Sequence, residues 1–265
     1  MEKFDIILQA GQSNAEGYGV GPSEKKICLS DKVFWLENVK RTTVVPDKTF
    51  GTTLKMEFVE NKYDLVHAQK YIDDNNLAAN FSISFCDLYE KEYLSEDRKI
   101  LVIRAAVGGA GFYKEQWGVG KPLYIRMIKM LDYALSLNAE NRLVAFLWHQ
   151  GEHDLAEHNP PNVFAKQFTD MMTNFYSRYD KVPFISGDFC HDWIDRHGSE
   201  SKTITDRIKA VTENVCGGAF VDTVGLKSND QMLFSSDVIH FCREAQYELG
   251  ERYFSAYEKL IKKLK

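Results

Sequence analysis

The sequence predicts a three-layer α/β/α protein with a mostly parallel central sheet, and two observations carry that prediction. Apolar runs recur at residues 4–9, 99–107, 142–148, 182–187 and 219–224. They are apolar without strict alternation, which is the pattern of strands buried on both faces. Between them lie stretches whose apolar residues repeat at helical spacing. A regular exchange of strand and helix places helices on both sides of a parallel sheet.

Taken in order, residues 4–9 form the first strand, and Gly11 and Gly17 frame a tight turn carrying Ser13. A flexible loop over residues 17–22 follows, then a short strand at 32–36. Residues 40–75 read as an irregular excursion, since Pro46, Gly51 and many polar residues interrupt any period. Loops of that length are often functional, so this one is expected to wall a substrate. Phe81, Phe85, Leu88 and Tyr89 mark an amphipathic helix over 78–94. The strand at 99–107 ends in Gly108-Gly109. Leu123, Met127, Met130, Leu131 and Ala134 then define a helix over 122–137. The strand at 142–148 runs directly into His149-Gln150-Gly151-Glu152-His153-Asp154. A long helix follows with Pro160 and Pro161 near its start and Phe164, Phe168, Met171, Met172 and Phe175 along one face. Ile204, Ile208, Val211 and Val215 mark another. The last helix is expected over 243–264, where Lys262 and Lys263 complement its negative end.

No linker, repeat or shift of composition divides the 265 residues, so residues 1–265 are expected to form one domain. A hydrophobic fraction of 44% supplies a substantial core. The net charge of −5, without blocks of like charge, argues against nucleic acid or an anionic membrane as the main partner. No apolar run approaches the roughly 20 residues needed to span a bilayer. Five scattered cysteines show neither metal-ligand spacing nor a disulfide framework. Together with a start that lacks signal-peptide architecture, they suggest a cytoplasmic protein; a removed leader would make it secreted. Nothing in the sequence fixes an oligomeric state.

Three turns leave the C-terminal ends of strands: the Ser13 turn, Gly108-Gly109, and 150–152. In open α/β sheets such turns surround one crevice. Near the C-terminus Asp237 precedes His240 by three residues, a spacing that lets the carboxylate reach the imidazole. Ser13, His240 and Asp237 would supply nucleophile, base and orienting acid for acyl transfer.

With these residues in view, the chain resembles SGNH-type hydrolases. Gly11-Gln12-Ser13-Asn14, Gly108-Gly109, 148–154 and Asp237-Val238-Ile239-His240 match their ordered blocks. The branch it is similar to is the sialate O-acetylesterase-like group, which includes the acetylxylan esterases of carbohydrate esterase family 6. The resemblance implies a three-layer, flavodoxin-like fold, an acetylated carbohydrate as substrate, and removal of acetyl groups without metal or other cofactor. It implies Ser13 as nucleophile and His240 as general base. The Ser13 and Gly109 backbone N–H groups and the Gln150 side chain would form the oxyanion hole. Gln150 would replace the asparagine that serves most of the superfamily. Gln12, Asn14, Tyr18 and Trp117 are expected to contact substrate. The acid is Asp237 by local spacing, with Glu152, from a neighbouring loop, as the alternative.

Three other readings compete. His149, Glu152 and His153 formally match the H-x-x-E-H zinc signature, but Gly151 interrupts it and it follows a strand, whereas that chemistry needs a helix. The glycines after the first strand lack the lysine of a phosphate loop. A non-catalytic carbohydrate-binding protein could use Tyr18, Phe112, Tyr113, Trp117 and Trp193 as sugar platforms. It would have no need of a serine, a histidine and an acid in matched blocks.

Overall fold

A computed structural model describes residues 2–47, 51–58, 62–73 and 78–264. Its main sheet has seven strands in the order β5-β2-β6-β1-β7-β8-β9. They are β1 (Lys3–Gly11), β2 (Val33–Glu37), β5 (Asp64–His67), β6 (Arg98–Arg104), β7 (Arg142–His149), β8 (Phe184–Gly187) and β9 (Ala219–Val221). All neighbours pair in parallel except β5, which lies antiparallel on the edge against β2.

β1 is central because almost every residue in it can be buried. Phe4, Ile6, Leu8 and Ala10 pack on one face with α4 (Pro122–Ser136), α6 (Pro161–Tyr176) and α8 (Ser199–Asn214). Ile7 points to the other face, where α3 (Ser82–Tyr93) and α10 (Arg243–Leu264) supply Ile83, Phe85, Tyr247, Leu249 and Tyr253. This is the expected α/β/α sandwich. A period of two within a strand feeds both cores at once.

The structure corrects the reading of residues 40–75 as irregular. Val39–Asp47 (β3) and Gly51–Phe58 (β4) form a two-stranded antiparallel ribbon, and β5 and the short α2 (Lys70–Asp73) follow. Residues 48–50, 59–61 and 74–77 of that stretch lie outside the described residues. The long helix expected with Pro160 and Pro161 near its start is α6, which Pro161 opens, and a short α5 (Glu152–Ala156) that the sequence did not announce precedes it.

The crevice follows from strand order. β6, β1 and β7 are adjacent, so the turns after them emerge side by side at one end of the sheet. The short helices α1 (Ser13–Glu16), α7 (His191–His197) and α9 (Asn229–Leu233) surround that end.

Candidate active site

β1 delivers Ser13 through a turn that only glycine permits. Gly11 has φ +134°, and a β-carbon on it would stand 2.0 Å from the His149 carbonyl oxygen of β7. The close approach lets the Gln12 N–H donate to that same oxygen at 2.9 Å. Ser13 therefore opens α1 at the edge of the crevice with 4% of its surface exposed.

Glu16, one turn further, reaches the next loop: its Oε2 accepts the Gly108 N–H at 2.7 Å. That bond sets the turn in which Gly109 adopts φ +68° and faces open space. Among the described residues, neither the Ser13 nor the Gly109 N–H donates to another protein group. The two donors stand on adjacent strand ends, available to an oxyanion.

His240 lies in the segment before α10. His240 Nδ1 lies 3.0 Å from Asp237 Oδ1 and 2.9 Å from Oδ2, and the His240 backbone N–H donates to Oδ1 at 3.2 Å. Asn229 Nδ2 donates to Asp237 Oδ2 at 2.9 Å and also to the Tyr18 carbonyl at 3.0 Å. Burial pushes the Asp237 carboxyl up, but the His240 hydrogen bond and charge and the Asn229 amide outweigh it and hold it below the usual range. With Nδ1 occupied by an acceptor, the ring is held so that Nε2 is the nitrogen left for proton transfer. Tyr18 stacks on the ring at 4.7 Å between centroids.

Asn14 joins the serine turn to the histidine segment. Its amide donates to the Ile239 carbonyl at 3.0 Å and its oxygen accepts the Phe241 N–H at 3.2 Å, so it grips the backbone on both sides of His240. No hydrogen bond joins Ser13 Oγ to the His240 ring among the described residues. Catalytic contacts are often long in the absence of substrate.

Several expected site residues sit elsewhere. Glu152, the alternative acid, is fully buried and bonds Asn14 Nδ2 at 2.8 Å, away from the His240 ring. Of the two candidate acids, Asp237 is the one that meets the imidazole. Gln150 does not present its amide to the crevice. It is 1% exposed and its nitrogen donates to the buried Asp154 carboxylate, a stronger acceptor than a neutral carbonyl. Gln12 is also buried; its Oε1 accepts the His153 N–H at 3.1 Å and braces the β7 turn. Asn14 is likewise enclosed. Trp117 is 1% exposed and packs edge-on against Trp148 at 5.0 Å, which makes it core. Phe112 joins the same cluster. Tyr18 and Tyr113 remain accessible, and Trp193 is half-buried against His197.

Sequence reasoning missed Asn229, Glu16 and Asp154. Asp154 accepts the Phe112 and Tyr113 N–H groups at 3.1 and 2.8 Å and so fixes the loop after Gly109. Glu16 and Asp154 carried a signal, their places beside the serine turn and in the block 148–154; Asn229 lies in none of the matched blocks. Among the described residues, no group of three or more His, Cys, Asp or Glu gathers to hold a metal, and His149, Glu152 and His153 form no such cluster. None of the described helices is long and apolar enough to cross a membrane.

The fold is shared with known proteins. The crystal structure of NanS superposes with a TM-score of 0.72, 16% identity, and coverage of 99% of this chain and 98% of that one. A protein from Arabidopsis thaliana superposes with a TM-score of 0.68 at 17% identity, covering 98% of this chain and 99% of that one. At such identities the likeness is one of fold. No curated protein matches the sequence. The family model described as "Carbohydrate esterase, sialic acid-specific acetylesterase" matches residues 3–259, nearly the whole described chain, and so this chain belongs to the sialic acid-specific acetylesterase family of carbohydrate esterases.

Proposed function

We propose that this chain is a serine esterase that removes acetyl groups from an acetylated sugar through an acyl-enzyme on Ser13. The observation that carries the reading is the Asp237–His240 pair, with Nδ1 fixed at 2.9 Å and the backbone around it gripped by the residue next to Ser13. Family membership supports esterase chemistry on a carbohydrate.

In this reading Ser13 Oγ attacks the acetyl carbonyl while His240 Nε2 takes its proton. Asp237 stabilises the imidazolium that forms. The carbonyl oxygen becomes an oxyanion facing the Ser13 and Gly109 N–H groups, each worth about 3 kcal/mol to such a charge. The sugar alkoxide leaves with the proton from His240. Water then attacks the acetyl-serine, gives its proton to His240, and acetate departs as Ser13 recovers its own. Tyr18, stacked on His240 and 37% exposed, forms one wall for the leaving sugar.

The test is acetate release from an O-acetylated sialic acid, an acetylated xylan fragment and a short-chain aryl acetate, with wild type and Ser13→Ala. Losing a nucleophile that works with its base as a unit should cost on the order of 10⁴ to 10⁶ in rate. A serine-directed phosphonate should stop the wild type. Retention of more than about a tenth of activity by Ser13→Ala would sink the assignment.

A further inference from the structure

Glu152 is an unusual group to find under a crevice. It is fully buried, and so is His149 beside it. Taking two ionisable groups out of water costs several kcal/mol each, so stability alone does not account for them. Its contacts are directional. Oε1 accepts the Asn14 amide at 2.8 Å and lies 3.4 Å from His149 Nε2, while Oε2 has no hydrogen-bond partner among the described residues.

The protons along this chain can be traced. The Tyr253 hydroxyl donates to the Trp148 carbonyl at 3.0 Å. It therefore has a lone pair, not a proton, to offer His149 Nδ1 at 3.1 Å, and that nitrogen must carry hydrogen. The opposite nitrogen faces the carboxylate. Whichever of the two holds the proton between them, Oε1 keeps a lone pair, and it is this lone pair that accepts the Asn14 amide.

That polarity decides which way Asn14 points. An amide has two donors and two acceptor sites, and this one uses all of them: donors to Glu152 and Ile239, acceptors from Phe241 N–H at 3.2 Å and Gln246 Nε2 at 3.3 Å. Turned by 180°, it would set its oxygen against a carboxylate and a carbonyl, and its hydrogens against the Phe241 N–H. Ile239 is a neutral acceptor, whereas Glu152 offers a charge-assisted bond.

We infer that Glu152 is a positioning residue for the proposed esterase reaction, acting on His240 through the orientation of Asn14 and touching neither base nor substrate. The inference rests on the serine-esterase reading above. Glutamine at 152 keeps an acceptor but adds a donor, so Asn14 loses its fixed sense and the His240 segment its grip.

The experiment measures kcat and KM on the aryl acetate for Glu152→Gln, Asn14→Ala, Asp237→Asn and their pairs. Glu152→Gln should lower kcat by about 10- to 100-fold, the cost of a base slightly out of place. KM should stay within about twofold, because no substrate contact is lost. In the Asn14→Ala background the same change should add less than about threefold, and beside Asp237→Asn, which acts on the same ring, it should cost less than it does alone. An undiminished loss after Asn14→Ala or beside Asp237→Asn overturns the inference. Should Glu152→Gln fail to fold, the Asn14→Asp/Glu152→Gln pair, which exchanges carboxylate and amide, should recover at least about tenfold over Asn14→Asp alone; no recovery overturns it. A second readout needs no turnover. In the Ser13→Ala protein, the His240 ring resonances should move on Glu152→Gln as they do on Asn14→Ala. Unmoved resonances overturn the inference even where the nucleophile assignment stands, and activity surviving Ser13→Ala marks failure of that assignment instead.

Discussion

At His240 the two ring nitrogens have different neighbours, and the difference came from three residues of sequence. Asp237 reaches Nδ1 because an i, i+3 spacing on a turn is local, so this contact was legible without knowing the fold. Asp237→Asn would keep a hydrogen bond to the ring but favour the wrong tautomer. It should lower kcat on the aryl acetate by roughly 10² to 10⁴ with little change in fold. A loss below about tenfold would remove Asp237 from the role of acid. What was illegible depended on how side chains fold inward. Gln150 was expected to serve the oxyanion, but Asp154, four residues on and also buried, holds its nitrogen. Trp117 was expected to contact substrate. Its loop folds back under Trp148 and buries it.

At the scale of elements, the six parallel strands of the main sheet were legible because burial on both faces leaves an unbroken apolar run. The β3–β4 ribbon was not. Its strands are rich in valine and threonine, but a register shift between Arg41 and Thr43 breaks the alternation that would have marked them. The turn that carries Asp237 is another element the sequence did not announce. Phe234 caps α9 in the left-handed region at φ 52°, ψ 42°, with 92% of its surface exposed. Asp230 holds it there. Its carbonyl accepts the Phe234 N–H at 2.7 Å, its side chain accepts the Ser236 N–H at 2.6 Å, and its own N–H donates to the Asp237 carbonyl at 2.9 Å. A bulky residue at this φ costs roughly 1 kcal/mol that glycine does not. Phe234→Gly should therefore raise stability by about 0.5 to 1 kcal/mol, read from urea unfolding midpoints at constant slope. A lower midpoint would mean that the side chain packs against something in solution.

Across the whole molecule, the end of the sheet opposite the crevice is held by one carboxylate. Asp5 of β1 is fully buried, and it accepts Arg98 Nε of β6 at 2.6 Å, Arg142 Nε of β7 at 2.7 Å and the Tyr89 hydroxyl of α3 at 2.8 Å. A single side chain thus ties three adjacent strands and a helix at the ends where they enter the sheet. Burial pushes the Asp5 carboxyl up, but Arg142, Tyr89 and Arg98 overcome it and hold it below the usual range. The folded value lies below the unfolded one, so the stability Asp5 contributes is complete above the unfolded value of about 3.9 and is lost as pH falls further, through the folded value. Asp5→Asn leaves Arg98, with only 9% of its side chain exposed, without its countercharge. Breaking a buried pair from one side costs about 3 kcal/mol or more. The variant should unfold at lower urea than wild type at pH 7. The gap should narrow as both are taken from pH 5 towards pH 2, because acid removes from the wild type the charge that the variant already lacks. The kcat of the folded variant at neutral pH should match wild type, since none of these groups faces the crevice. A gap that stays constant down to pH 2 would show that the charge of Asp5 is not what holds this end of the sheet.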